Sequence, residues 1–151
     1  MNLILWRHAD AEDGVPDIAR KLTAKGEKQA QLMGSWLRSH LPEDARILVS
    51  SAKRTQQTAS VFGLEFETRR EVGAEASVMS VMTAAGWPDA KGTVLVVGHQ
   101  PTLGRIAATL LTGYEADWNV KKGGVWWFSN RLHGDQMLTI LRTVMSPEFL
   151  F

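Results

Sequence analysis

The sequence predicts an α/β fold with a mainly parallel sheet, because short apolar runs alternate along the chain with segments of helical periodicity. Near the carboxyl end, two strand-like segments follow one another without a helix, which predicts an antiparallel pair at the sheet edge. The chain has 151 residues, of which 44% are hydrophobic and 22% charged, an ordinary composition for a single globular domain over residues 1–151.

The chain is expected to begin with a buried strand, a charged loop and an amphipathic helix. The apolar run at residues 3–6 predicts a strand that extends to Arg7, and the charged segment 10–20 predicts a loop that folds over its end. Thr23 is a suitable N-cap for the helix. Apolar side chains at a spacing of three to four residues define its core face, namely Ala30, Met33, Leu37 and Leu41.

Two further strands are expected in the middle of the chain. The second strand is predicted at residues 46–50, and the helix after it is predicted to run to about Phe62, with Gly63 as its C-cap. The segment 66–72 is predicted to form a third, more exposed strand.

The second half of the chain is expected to contain two helices, a buried strand and the edge pair. A helix is predicted to end near Gly86, and residues 93–97 predict the most buried strand. The edge pair is predicted at residues 125–128 and 138–141, joined through residues 131–136. The core face of the helix after the buried strand carries Leu103, Ile106 and Leu110.

Basic and histidine side chains follow three of the predicted strands. Arg7 and His8 come directly after the first strand, and His99 follows the buried strand. Arg54 falls in the first turn of a helix, where the helix dipole disfavours a cation unless an anion is near. An arginine offers a fork of donors to a phosphoryl group, and a neutral histidine is a nucleophile at pH 7. Because ligands bind outside the carboxyl ends of parallel strands, these side chains predict one phosphoryl site.

In this order along the chain, these residues resemble the histidine phosphatase superfamily, and in particular its small SixA-type phosphohistidine phosphatases. The matching motifs are Arg7-His8, Arg20-x-Leu22-Thr23-x-x-Gly26, Ser50-x-x-x-Arg54-x-x-Gln57-Thr58, Gly98-His99 and Met145-Ser146-Pro147. The resemblance implies a phosphoglycerate-mutase-like fold with three α/β/α layers. One departure is Ala9, where the superfamily usually has glycine; its methyl group is tolerated if φ stays negative.

The resemblance also implies a reaction and a substrate. His8 is expected to accept the phosphoryl group as a phosphohistidine intermediate, while Arg7, Arg54 and His99 stabilise the phosphoryl oxygens without a metal or other cofactor. Arg20 is expected at the rim of the pocket as a substrate-binding residue. The expected substrate is phosphohistidine in a phosphocarrier or phosphotransfer protein.

The proton donor of the reaction is not evident from the sequence. Glu71 and Glu75 lie in roughly the right stretch for a general acid, but each is more simply a solvated carboxylate. Because the P–N bond of phosphohistidine is labile, the lack of a clear acid favours that substrate over an ester. A phosphatase for sugar phosphates or nucleotides and a non-catalytic phosphate-binding module remain alternatives.

Composition argues against several other classes of protein. The net charge of +1 and the scattered basic residues favour neither nucleic acid nor a membrane as partner. The absence of cysteine excludes disulfides and a thiol nucleophile, and the spacing of His8, His40, His99 and His133 predicts no metal site. The apolar run near the amino terminus is too short for a signal peptide, so a cytoplasmic protein is expected. The apolar tail 149–151 is expected to pack onto the sheet, and the oligomeric state is left open.

Overall fold

The computed structural model describes residues 1–150, in which strands and helices alternate as predicted. The strands are β1 (Asn2–Arg7), β2 (Arg46–Val49), β3 (Glu67–Thr68), β4 (Thr93–Gly98), β5 (Val125–His133) and β6 (Gln136–Met145). The α-helices are α1 (Ala24–Arg38), α2 (Lys53–Ser60), α3 (Val78–Ala85) and α4 (Thr102–Thr112). Short 3₁₀ turns cover Asp17–Ala19, Arg70–Val72 and Pro147–Phe149.

The strands form one sheet in the order β3-β2-β4-β1-β5-β6. The first four of these strands are parallel, whereas β5 runs antiparallel to β1 and forms a hairpin with β6 at the edge. The predicted fold class, a mainly parallel sheet with an antiparallel edge, is therefore confirmed. The register pairs Arg7 with Gly98 and Val49 with Val97. It follows that the residues after β1, β2 and β4 leave the sheet side by side.

Helices cover both faces of the sheet, which explains why the central strands are apolar along their whole length. In β1, Leu3 and Leu5 pack with α3 and α4, while Ile4 and Trp6 point to the opposite face and pack with α1 and α2. Successive strand residues alternate between the two cores because the side-chain period of a strand is two. The arrangement is the predicted three-layer α/β/α architecture.

The helix signals in the sequence correspond to real caps. The Thr23 hydroxyl accepts a hydrogen bond from the Gly26 N–H at 3.0 Å, which satisfies one of the free donors at the start of α1. Helix α3 ends at Gly86, whose φ of +77° suits glycine. Helix α2 ends two residues before the predicted Phe62, and Val61 is its C-cap instead of Gly63, which adopts a φ of +61° further on.

Two predicted strands differ from the observed ones. The predicted strand 66–72 is reduced to the two residues of β3, because its partner β2 ends at Val49 and the chain then turns so that Val72 enters the core. The predicted connection 131–136 is too long. Strands β5 and β6 extend to a two-residue turn at Gly134, so His133 is the last residue of β5 and not part of the turn.

The end of the chain only partly follows its prediction. Leu150 packs against the core beside α1, but Phe149 is 75% exposed, and Phe151 lies outside the described residues. Within residues 1–150, no helix combines the length and apolar character needed to cross a membrane.

Candidate active site

A cavity of about 380 Å³ opens where β1, β2 and β4 end. His8, Arg54 and His99 form its buried floor, with exposed fractions of only 7%, 4% and 3%. The structure brings all five predicted site residues to this cavity, since Arg7 and Arg20 line it as well. The other lining residues are Ala11, Asp13, Asp17, Ala74, Glu75, Gln100 and Lys122.

The hydrogen bonds of His8 define which of its nitrogens is free to react. Nδ1 lies 2.7 Å from the Ala9 carbonyl oxygen, which can only accept, so Nδ1 carries the proton. The lone pair is therefore on Nε2, which accepts from the Nε–H of Arg54 at 3.3 Å. Burial, with help from Arg54 and Arg7, lowers the pKa of His8 to about 4. At pH 7 the imidazole is neutral, and its Nε2 lone pair lies against the guanidinium of Arg54, which lines the same cavity.

His99 has the opposite tautomer. Its Nε2 donates to the Ser50 hydroxyl at 2.8 Å, and its Nδ1 accepts from Nη2 of Arg54 at 3.3 Å. Burial and the nearby His8 and Arg54 lower the pKa of His99 to about 3. A cationic His99 therefore requires the negative charge of a phosphoryl group beside it to raise that pKa.

Arg54 is the centre of the hydrogen-bond network. Besides the two histidines, its guanidinium binds the main-chain carbonyl of Asp17 at 2.8 Å and the Asp17 carboxylate at 3.0 Å. The 10–20 loop, which folds over the strand ends as expected, thus brings a carboxylate to Arg54. The phosphoryl anion expected beside Arg54 stays a prediction. Arg20 shares this carboxylate, because its Nη1 lies 3.0 Å from Asp17.

Arg7 has one buried donor without a partner. Its Nη1 donates to the Val120 carbonyl at 2.8 Å, whereas its buried Nε–H has no acceptor among residues 1–150. Burial lowers the pKa of Arg7, but an arginine remains charged at neutral pH. A buried donor without a partner is costly in a folded protein, and Arg7 is the residue of the cavity lining that carries this cost.

The remaining motif residues hold the loops in place. On α2, the Gln57 side chain accepts from the Leu22 N–H at 2.7 Å, and the Thr58 hydroxyl accepts from the Ala9 N–H at 3.1 Å. Helix α2 therefore fixes the backbone directly after the nucleophile as well as supplying Arg54. Ala9 is fully buried, and no non-glycine residue in the described part of the chain has a positive φ, so its methyl group is accommodated as expected.

Two residues gain a role that the sequence did not assign. The motif that contains Ser50 gives this residue no role of its own, but its hydroxyl orients His99. Asp17 was only part of a loop, although its spacing of three residues from Arg20 was a weak signal of an ion pair. Of the two candidate acids, Glu75 lines the cavity, whereas Glu71 is bonded to Arg69 at 3.2 Å. Hydrogen bonds from its own main chain and from Arg69 lower the pKa of Glu71.

Comparison with known proteins agrees with this geometry. The family model of the histidine phosphatase superfamily (branch 1) matches residues 3–77. A phosphohistidine phosphatase SixA homolog of Haemophilus influenzae is 37% identical over 127 residues, which cover 73% of this chain and 77% of that protein. Phosphohistidine phosphatase SixA of Escherichia coli K12 is 32% identical over 122 residues, which cover 75% of this chain and 76% of that protein.

The similarity extends to three dimensions. A solved structure of the protein histidine phosphatase SixA complexed with tungstate matches this chain with a TM-score of 0.83 and 28% identity, over the full length of both chains. The order of the motifs, the residues gathered in the cavity and the relatives all indicate the same family. The chain belongs to the histidine phosphatase superfamily, in its SixA-type branch, and is a phosphatase.

Proposed function

We propose that this protein removes the phosphoryl group of phosphohistidine in a phosphocarrier or phosphotransfer protein, without a metal and through phosphorylated His8. The observation that carries the proposal is the state of His8. His8 lines the cavity with its proton on Nδ1 and with Nε2 against the Arg54 guanidinium, and a pKa of about 4 keeps the imidazole neutral at pH 7. A neutral imidazole beside arginine donors is equipped to attack phosphorus.

The reaction has two displacement steps at phosphorus. First, the His8 Nε2 lone pair forms a bond to phosphorus while the P–N bond of the substrate breaks, and the departing imidazole nitrogen takes up a proton from solvent. Water then attacks phosphorus, the bond to Nε2 breaks, and inorganic phosphate and a proton are released. His8 returns to its neutral state, so the cycle balances.

The arginines supply the positive charge that the phosphoryl oxygens need. Arg7, Arg20 and Arg54 all line the cavity, and the Arg54 guanidinium contacts the nucleophilic nitrogen of His8. Fixed cations in a buried site stabilise charge on the phosphoryl group in the transition state. A metal ion provides the same electrostatic stabilisation in metal-dependent phosphatases. The phosphoryl charge also raises the pKa of His99, whose Nδ1 then carries a proton and donates to an oxygen.

Two observations support phosphohistidine as the substrate. The relatives from H. influenzae and E. coli carry the name phosphohistidine phosphatase, and the similar SixA structure holds tungstate, a tetrahedral oxyanion like phosphate. In the cavity, Arg20 and Arg54 lower the pKa of Asp17, which makes its carboxyl a poor proton donor to an ester oxygen. A labile P–N bond makes a smaller demand for an acid.

The proposal is tested by incubating the purified protein, with EDTA present, with a phosphohistidine protein and separately with an aryl phosphate. His8→Ala is expected to lower turnover more than about a thousandfold. His40→Ala, which removes an exposed histidine outside the cavity, is the matched control and should be fully active. The wild type should carry an acid-labile, base-stable phosphate that His8→Ala lacks. Activity that EDTA abolishes, or an undiminished His8→Ala, would contradict the proposal.

A phosphatase for small phosphoesters is the second candidate, because Glu75 is a carboxyl that lines the cavity. The aryl phosphate in the same experiment distinguishes the two. Turnover of the ester at a rate equal to or above that of the phosphohistidine protein would favour this second candidate.

A further inference from the structure

Arg54 is a buried cation whose counter-ion comes from an exposed loop. The Arg54 side chain is 5% exposed, while that of Asp17, its partner in the ion pair, is 61% exposed. Asp17 contacts the guanidinium twice, through its carboxylate at Nη2 and its main-chain carbonyl at Nη1. A buried charge without a partner is strongly unfavourable, so the fold needs this or another anion beside Arg54.

The Asp17 carboxylate uses a donor that a phosphoryl group would also use. Nη2 of Arg54 has two N–H groups, one directed to Asp17 and the other to Nδ1 of His99. Asp17 also binds Nη1 of Arg20, the rim arginine. A phosphoryl oxygen that takes a charge-assisted bond from Nη2 must therefore displace one of these partners, and the solvated carboxylate is the one that leaves at the smallest cost.

We propose that Asp17 is a positioning residue: it is an internal counter-ion that holds Arg54 ready, and the phosphoryl group of the substrate replaces its carboxylate. The inference rests on the proposed function, because it takes Arg54 to be a phosphoryl-binding residue. The main-chain carbonyl of Asp17 does not depend on the side chain and keeps Nη1 in place during the exchange. The guanidinium thus stays oriented while its anionic partner changes.

The exchange has a consequence for affinity. The carboxylate competes with every anion that binds Arg54, so it weakens the binding of substrate and of product phosphate alike. Removal of its charge should therefore strengthen anion binding, whereas a merely structural lesion in the loop would weaken it. The sign of the change separates the two explanations.

The test measures the Kd of inorganic phosphate by isothermal titration calorimetry at fixed pH and ionic strength. Asp17→Asn keeps the size of the side chain but removes its charge, and we expect a Kd about fivefold lower, as for the loss of a partly exposed ion pair of about 1 kcal/mol. Glu12→Gln is the matched control. Glu12 is exposed in the same loop, but it lies outside the cavity lining and forms no ion pair within the described chain. Its substitution should change the Kd less than twofold.

Each result decides the matter. Tighter phosphate binding by Asp17→Asn alone supports the exchange, and its KM for the phosphohistidine protein should fall together with the Kd. An unchanged or weaker affinity overturns the inference. An equal gain in Glu12→Gln also overturns it, because any lost negative charge in the loop would then have the same effect. If the wild type binds no phosphate, the proposed role of Arg54 in the reaction fails as well. If the wild type binds phosphate but Asp17→Asn does not bind it more tightly, only the exchange fails.

Discussion

The Nε–H of Arg54 is directed at Nε2 of His8 across 3.3 Å, so the arginine contacts the very atom proposed to attack phosphorus. The same guanidinium reaches His99 through Nη2 at 3.3 Å. One planar group therefore sets the relative positions of two histidines whose ring centres lie 5.3 Å apart. Simultaneous contact with two histidines depends on the planar, forked shape of the guanidinium as much as on its charge.

Substitution of Arg54 by lysine should therefore abolish most activity although the charge is retained. A lysine ammonium cannot contact both histidines and the Asp17 carbonyl at once, and loss of such a stabilising donor costs about 3 to 4 kcal/mol of the barrier, a few hundredfold in kcat. Steady-state kinetics with a phosphohistidine protein measure the change. Lys53→Ala, one residue earlier on the exposed side of α2, is the control and should retain wild-type kcat.

Substitution of Ser50 by alanine should misorient His99. The Ser50 hydroxyl is the acceptor for Nε2–H of His99 at 2.8 Å, and its removal leaves a buried donor unsatisfied at a cost of about 1 to 3 kcal/mol. We expect kcat to fall about tenfold and the free energy of unfolding to fall by about 1 kcal/mol or more, measured by kinetics and urea denaturation. The neighbouring Ser51 is exposed, so a Ser51→Ala variant as impaired as Ser50→Ala would refute this role.

The two buried histidines make stability depend on pH. A histidine in the unfolded chain has a pKa of about 6.5, whereas burial lowers the pKa to about 4 in His8 and about 3 in His99. Below 6.5 the unfolded state binds more protons, so stability is lost as the pH falls from 6.5 towards the folded values.

This loss is measurable by urea denaturation between pH 7.5 and pH 5. We expect each buried histidine to reduce the free energy of unfolding by about 2 kcal/mol at pH 5, relative to pH 7.5. His99→Gln removes one of the two groups and should roughly halve the difference, while His40→Gln, at an exposed position, should leave it unchanged. A pH dependence that is identical in His99→Gln and in the wild type would contradict the buried neutral state.

The two candidate proton donors, Glu71 and Glu75, can be compared through a matched pair of substitutions. Glu71 is bonded to Arg69 and lies outside the cavity lining, whereas Glu75 belongs to it. Glu71→Gln should change kcat less than twofold on any substrate. Glu75→Gln should also be nearly neutral with a phosphohistidine protein, because the labile P–N bond needs little acid catalysis. A drop of about a hundredfold with Glu75→Gln, the size of a lost general acid, would identify Glu75 as that acid.

Much of the fold was predictable because local signals and the global fold agree. The alternation of apolar runs with helical stripes, the Thr23 cap and the glycine after α3 all depend on residues close together in the sequence. The wrong predictions concerned features that depend on pairing between distant segments. Whether residues 66–72 pair as a strand depends on the length of β2, and the length of the β5–β6 hairpin depends on the pairing between its two strands.

The sequence by itself determined which chemical groups the site contains and that they follow parallel strands, since Arg7, His8, Arg54 and His99 stand next to recognisable apolar runs. Only the tertiary structure decided how these groups are charged and connected. The tautomers of both histidines, the free donor of Arg7 and the engagement of Arg54 by Asp17 arise from contacts between residues far apart in the chain. Burial and hydrogen-bond partners set protonation, and neither is encoded in local spacing.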